Sequence, residues 1–268
     1  MTAAETTPSA PVELPRRRRR VWPWVLLGVG ALLVGAGFAA DAIARDLAEK
    51  AVAANVATAL DVPDGQSVDV VIGGGPVLLQ VVTGSLDRVD IGIDSLALGP
   101  LTGDLAIEAH GVPLDTQAPT RELTVRYAIP GDALAAVAPQ IAGVSIDDVA
   151  ISGDEVVASG SVGILGLSLE LGLGLTPSAV DGRLAFDPSS IRIGDQSFDA
   201  ESLRDNPLFR GIADALLAQR TVCIADQLPA ALTLTDLEVS GGELVATLDG
   251  SGAALGGPDF TQKGVCAA

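Results

Sequence analysis

Residues 163–177 read GILGLSLELGLGLTP. Leucine stands at every odd position from Leu165 to Leu175, and the even positions between hold Gly166, Ser168, Glu170, Gly172 and Gly174. A period of two marks a β-strand, because successive side chains leave a pleated backbone on opposite faces. One face here is aliphatic and the other nearly bare. The leucine row therefore either packs as a core strand or lines the concave side of a sheet, against a helix or an acyl chain. Glycines at 166, 172 and 174 would let such a strand coil tightly.

Outward from this stretch, most of the chain between Gly65 and residue 200 has strand character. VDVVI (68–72), VDIGI (89–93), LAIEA (105–109) and LTVRYAI (123–129) alternate or are rich in β-branched residues, with Gly, Pro and Asp between them. Strands return from Leu232 to Leu248. IDDVAISGDEVVAS (146–159) aligns without gaps on LTDLEVSGGELVAT (234–247), sharing Ser152/Ser240, Gly153/Gly241 and Glu155/Glu243. Each copy reads as a β-hairpin, which points to a degenerate duplicated unit or to convergent turn chemistry. GGG at 73–75 lacks the Lys-Ser/Thr of a phosphate loop and reads as a bend before Pro76.

Three helices are expected. DAIARDLAEKAVAANVATAL (41–60) carries Ile43, Leu47, Ala51, Val52, Val56 and Leu60 near helical spacing. Short helical turns fit 132–137, and a second amphipathic helix from Pro207 carries Leu208, Phe209, Ile212, Leu216 and Leu217. Before them, Val21 to Ala40 (VWPWVLLGVGALLVGAGFAA) has no charged residue. As a helix it would span about 30 Å, the thickness of a bilayer's hydrocarbon core. Trp22 and Trp24 suit the headgroup level, and Arg16 to Arg20 place the N-terminus in the cytoplasm and the body outside. The alternative is a cleaved signal peptide, although its apolar region is usually only about 7–15 residues. The expected organisation is a cytoplasmic basic tail (1–20), a transmembrane anchor (21–40) and one extracytoplasmic domain (41–268).

The chain has 268 residues, 48% hydrophobic and only 3% aromatic, with a net charge of −18. From Asp41 onward there are 11 basic and 32 acidic residues, so the body repels a phosphate backbone and nucleic acid is not an expected partner. Beyond residue 40 there is no Trp and one Tyr, a poor supply of the aromatic faces on which sugars stack. Cys223 and Cys266 both lie in the exported part and have no metal or C-x-x-C spacing. A disulfide between them is expected in an oxidising compartment, against the alternative of two buried thiols.

Catalytic constellations are hard to assemble. His110 is the single histidine, and no G-x-S-x-G, H-E-x-x-H, P-loop or EF-hand pattern occurs. The acid pairs Asp147-Asp148 and Asp154-Glu155 fall at turns and read as a solvated face. No enzyme activity, cofactor or metal is expected.

IGGGPVLLQVVTGSLDRVDIGI (72–93) and DQLPAALTLTDLEVSGGELVATLDG (226–250) resemble the LmeA family, actinobacterial phospholipid-binding proteins of the cell envelope. The family pattern G-x-P-F-L-x-Q appears as Gly74-Gly75-Pro76-Val77-Leu78-Leu79-Gln80, and L-P-x-G-L as Leu228-Pro229-Ala230-Ala231-Leu232. Val77 and Leu78 depart from an expected aromatic, and Ala231 from a glycine. The resemblance, over roughly residues 41–250, implies export and phospholipid binding and, for the family's namesake, a part in maturing mannosylated envelope lipids. It is also similar to tubular lipid-binding folds, in which a curved sheet wraps a helix and leaves a groove for acyl chains.

The resulting expectation is an α+β protein: a transmembrane helix, then a strongly curved antiparallel sheet wrapped around one or two amphipathic helices. The groove would be lined by Ile43, Leu47, Val56, Val77, Leu79, Leu165, Leu167, Leu169, Leu171, Leu173 and Leu216, with Arg88, Arg121, Arg126 and Arg204 as headgroup donors. Expected partners are membrane phospholipid, the cell membrane through the anchor, and an envelope biosynthetic enzyme. Two other readings stand beside it: a scaffolding envelope module with a self-packed core, and a hydrolase or transferase.

Overall fold

The computed structural model describes residues 22–63, 65–137, 148–164, 167–194, 196–205 and 220–266. Two compact units divide the chain, residues 1–43 and 44–268. Helix α1 (Trp22–Ala59) begins in the first unit, where Leu27, Leu32, Leu33, Val34 and Phe38 are exposed. Among the described residues no helix is long and apolar enough to cross a membrane. Arg16 to Arg20 and Val21 lie outside the described residues, so the uncharged stretch is described from Trp22 on.

Among the described residues the second unit is built from twelve antiparallel strands in two six-stranded sheets. The first sheet has the order β1-β2-β3-β4-β12-β11, from Asp69–Gly73, Ser85–Leu98, Leu101–Pro113, Glu122–Pro130, Glu243–Asp249 and Thr233–Ser240 respectively. The second runs β10-β8-β7-β6-β5, from Arg220–Val222, Arg183–Ile193, Leu167–Val180, Glu155–Ile164 and Asp148–Ser152, with β9 (Gln196–Asp199) also on β8. The short helices are α2 (Val77–Thr83), Ala200–Asp205 and Pro258–Thr261, and a 3-10 segment covers Gly131–Val137. The amphipathic helix expected from Pro207 falls outside the described residues.

Two open sheets stand where one wrapped sheet was expected. After β4 the chain leaves the first sheet through Gly131–Val137, and the place beside β4 is taken by β12, with Glu243 opposite Pro130 and Asp249 opposite Thr124. That pairing joins segments more than a hundred residues apart, so no local pattern announces it.

The two copies of the internal repeat form matching hairpins. Ser152 pairs with Glu155 across Gly153-Asp154, and Ser240 with Glu243 across Gly241-Gly242. Both loop residues of the second hairpin have positive φ, 64° and 87°, the backbone of a type I′ turn. In each sheet the first strand of the hairpin, β5 or β11, is the outermost.

Alternation within these strands builds one core between the sheets. Ile72, Ile93, Leu96, Leu105, Leu123 and Leu248 of the first sheet join Val149, Val156, Leu175 and Phe186 of the second in a continuous buried cluster. Ala48 and Val56 of α1, and Leu60 just beyond it, pack against it. One aromatic hydroxyl is inside: Tyr127, 7% exposed, donates to the Leu96 carbonyl at 2.8 Å, with the Leu101 carbonyl 3.2 Å away. Burial pushes its phenol pKa above the usual value near 10.

From Leu167 onward the opening stretch belongs to β7, in the middle of the second sheet. Leu171 and Leu173 are half-buried and Leu175 is in the core, all on one face of β7. The bare face is occupied from the neighbouring strands. Ser190 of β8 donates to Glu155 of β6 at 2.9 Å, and Arg192 reaches Ser152 of β5 at 3.2 Å, with Glu155 3.6 Å away. A Cβ on Gly172 would lie 3.2 Å from Arg192 Cβ, and one on Gly174 2.5 Å from Glu155 Oε2. The two glycines thus form a trough for a polar side-chain network. The β7–β8 register also shifts between Gly174 and Leu175, a local irregularity of the kind glycine admits.

Candidate functional site

On the second unit a cleft of about 530 Å³ opens beside the disulfide. Its first wall is the β7–β8 turn, Val180 to Arg183, where Asp181 and Gly182 have φ of 51° and 72°. Such an Asp-Gly pair closes a two-residue hairpin, because aspartate and glycine tolerate left-handed backbone. The second wall is the run from Ala225 to Leu234, with Leu228, Ala230 and Leu232 turned to the cleft. Thr221 and Cys223 contribute from the β10 side, and Gly264 and Val265 from the C-terminus.

The C-terminal segment is laced onto the second wall. Ala230 N–H donates to Gln262 O at 2.9 Å, Gly264 N–H donates to Leu228 O at 3.0 Å, and Pro229 pairs with Lys263. Cys223 and Cys266 form the disulfide, with Cα atoms 5.9 Å apart. The cleft is thus aliphatic through Val180, Leu228, Leu232 and Val265, with Asp181, Arg183, Thr221 and Thr233 as polar neighbours. Its size is that of ordinary small-molecule sites, and its chemistry suits an apolar chain with a polar end. Among the described residues no three His, Cys, Asp or Glu side chains gather into a metal-holding group.

A second apolar surface is α2. Gly74 has φ 87° and lies against Asp87, where a Cβ would come within 2.6 Å of the carboxylate, so the chain bends there and enters α2 at Pro76. Gln80 is 4% exposed and holds the helix down: its amide donates to Gly73 O at 3.1 Å and Gly75 O at 2.9 Å, and its carbonyl accepts from Asp87 N–H at 2.8 Å. Val77 is buried beside it, while Leu79, Val81 and Val82 are 60%, 48% and 83% exposed. The base of this platform is tied to α1: Arg45 donates to Ile72 O and, at 3.1 Å, to Gly75 O, and Glu49 accepts from Ile72 N–H at 3.0 Å.

A family model described as LmeA-like phospholipid-binding matches residues 39–249, most of the chain. The protein belongs to that family. No curated protein and no solved structure matches the chain. Both LmeA-like segments singled out in the sequence build the surfaces just described: Gly74 to Gln80 makes the bend and α2, and Leu228 to Leu232 makes a wall of the cleft.

The residues expected to line a groove in this LmeA-like protein are distributed over several places. Val77 is in the core and Val56 packs against it. Leu171 and Leu173 are half-buried on β7, while Ile43, Leu47 and Leu79 are exposed. Leu167 and Leu169 lie on β7, and Leu165 and Leu216 fall outside the described residues. None of those described lines the cleft.

Of the four arginines, Arg88 and Arg126 meet on the outer face of the first sheet, around Glu108, at 3.2 and 4.0 Å. His110 lies 3.0 Å from the same carboxylate, and Arg88 also binds Asp90 at 2.8 Å. The hydrogen bond and charge of Asp90, with the charge of Glu108, raise the Arg88 pKa. A headgroup phosphate would have to compete with these carboxylates. Arg121 is exposed beside Gly111, and Arg204 lies on the helix Ala200–Asp205. Sequence reasoning missed Val180, Arg183, Leu228, Leu232 and Val265. The L-P-A-A-L motif and the Asp-Gly turn were the available signals for them.

Proposed function

We propose that this LmeA-like protein is a membrane-anchored, extracytoplasmic phospholipid-binding protein that takes an acyl chain into the cleft between the β7–β8 turn and Leu228–Leu234. It serves envelope lipid or lipoglycan metabolism without catalysis, handing bound lipid to an enzyme. The observation that carries this reading is the coincidence of a family segment, Leu228 to Leu232, with an aliphatic wall of the cleft beside the disulfide. Each methylene removed from water contributes about 0.8 kcal/mol, so about six of them supply roughly 5 kcal/mol without any charged contact. The acidic body disfavours general adhesion to anionic lipid, which leaves the tail as the main determinant. The anchor rests on the charge-free stretch Val21 to Ala40 behind five arginines.

The test uses the full chain purified in mild detergent and a phospholipid with a photoreactive acyl chain. Cross-links are expected in peptides containing Val180–Arg183, Leu228–Leu234 or Val265. Val180→Trp and Val265→Trp add bulk from exposed positions and should abolish cross-linking with unfolding unchanged. Cross-links that avoid these peptides, or uptake indifferent to both tryptophans, would overturn the cleft.

A second reading, a scaffolding module with a protein partner, draws on the continuous core between the sheets. It expects no lipid to copurify and a protein to be captured by the intact body. Mass spectrometry of lipid extracted from the purified chain separates the two.

A further inference from the structure

We propose that α2 is a membrane-insertion platform, whose Leu79, Val81 and Val82 enter the bilayer surface beside the anchor. The inference rests on the reading of Val21–Ala40 as an anchor. Three observations carry it.

First, these aliphatic side chains are presented outward by a rigid mount. A seven-residue helix has little stability of its own, yet α2 is fixed by the three hydrogen bonds of buried Gln80 and by Gly84, whose N–H closes the last turn onto Gln80 O and Val81 O at 3.0 and 3.2 Å. Soluble surfaces rarely hold adjacent large apolar residues this exposed, and where they do the patch is an interaction site.

Second, chain connectivity keeps the platform's mount close to the end of the charge-free stretch. The mount is bonded to Arg45, and Arg45 follows Ala40, the last residue of the charge-free stretch, by five positions. Five residues span at most about 18 Å even fully extended, whatever the arrangement of the two units.

Third, charge decides the mode of contact. With 11 basic and 32 acidic residues beyond Ala40, the body gains nothing from anionic headgroups, so its contact must be apolar burial at the headgroup boundary. Contact of this kind is indifferent to salt and needs no anionic lipid.

The experiment uses the full chain, whose two native cysteines are joined as a disulfide, so that an added cysteine is the single free thiol. Leu79→Cys, Val82→Cys and, as control, Leu98→Cys at the far end of β2 are labelled with an environment-sensitive fluorophore. Each is reconstituted in phosphatidylcholine nanodiscs carrying a nitroxide at headgroup depth. Probes at 79 and 82 should shift to the blue and be quenched, at low and high salt alike, while the probe at 98 stays unshifted and unquenched. Quenching at 79 and 82 no greater than at 98 overturns the platform, and so does a blue shift without nitroxide quenching, which marks a protein contact instead. The photoreactive phospholipid is applied to the same samples. Cleft cross-links without quenching overturn the platform alone, and quenching without cleft cross-links supports the platform while removing the cleft.

Discussion

Replacing Gly174 with alanine tests whether the bare face of β7 exists to make room for its neighbours. Gly174 has ordinary negative-φ backbone, so alanine meets no conformational barrier and the cost is one of space. The new methyl carbon would sit 2.5 Å from Glu155 Oε2 and closer still to Ser190 Oγ, within the pair joined at 2.9 Å. One group must move. Losing a hydrogen bond to a carboxylate costs about 1.5–3 kcal/mol, and overpacking adds about 1–3 kcal/mol. Reduced freedom of the unfolded chain returns about 0.4–1 kcal/mol. The expected loss is about 3 kcal/mol, read from urea unfolding of the detergent-solubilised chain by circular dichroism. Gly172→Ala should cost less, because its nearest neighbour, Arg192 Cβ, would lie at 3.2 Å. In a Ser190→Ala background the Gly174→Ala cost should fall by about 1 kcal/mol, since the closest atom is gone. Equal costs at 172 and 174, or strict additivity with Ser190→Ala, would refute the trough and return the glycines to the role of permitting a coiled strand.

Three further outcomes are expected. Removing the disulfide as the double variant Cys223→Ser, Cys266→Ser should cost about 4 kcal/mol, the loop-closure value for a separation of 43 residues, and should lower photoreactive-lipid labelling of the cleft as the segment Gln262–Val265 loosens. Tyr127→Phe should cost about 1 kcal/mol at neutral pH through its lost hydrogen bond. Because the phenol pKa is raised in the fold, its protonated form contributes stability that is complete below about pH 10 and lost as pH rises through the higher folded value, so alkaline unfolding should be shallower in Tyr127→Phe. Gln80→Met keeps the bulk but leaves Gly73 O, Gly75 O and Asp87 N–H without that partner, and should release α2 to rapid amide hydrogen exchange at a cost of about 2–4 kcal/mol.

Local chemistry was the readable part of this fold. The Ser-Gly-Asp-Glu and Ser-Gly-Gly-Glu sequences specify tight turns by themselves, and both hairpins form where the repeat placed them. The strands around 68–72, 89–93, 105–109 and 123–129 were legible from alternation, since the face opposite the core is solvated. What depended on partners was not. β12 beside β4 is a pairing between distant segments, and the Glu155–Ser190 bridge over Gly174 requires the registers of three strands at once. On α1 the hydrophobic spacing admitted more than one face: Ala48 and Val56 pack inward, while Ile43 and Leu47, larger than Ala48, are exposed. For the candidate site, the family segments were visible as motifs. Their meaning as a cleft wall and an apolar platform came only with the positions of the C-terminal segment and Gln80.

The matching hairpins set a problem of timing. A chain made from its N-terminus completes β4 long before β12 exists, so the hydrogen-bonding edge of β4 must wait for residues 243–249. The first hairpin arrives 88 residues sooner, and its Glu155 to Ser159 repeats the pattern of Glu243 to Thr247 that finally occupies that edge. A strand of the same residue pattern is therefore made before the one that pairs with β4. In the folded protein β6 is paired with β7, from Val156 opposite Leu175 to Ile164 opposite Leu167, and Glu155 is held across β7 by Ser190 and Arg192 of β8.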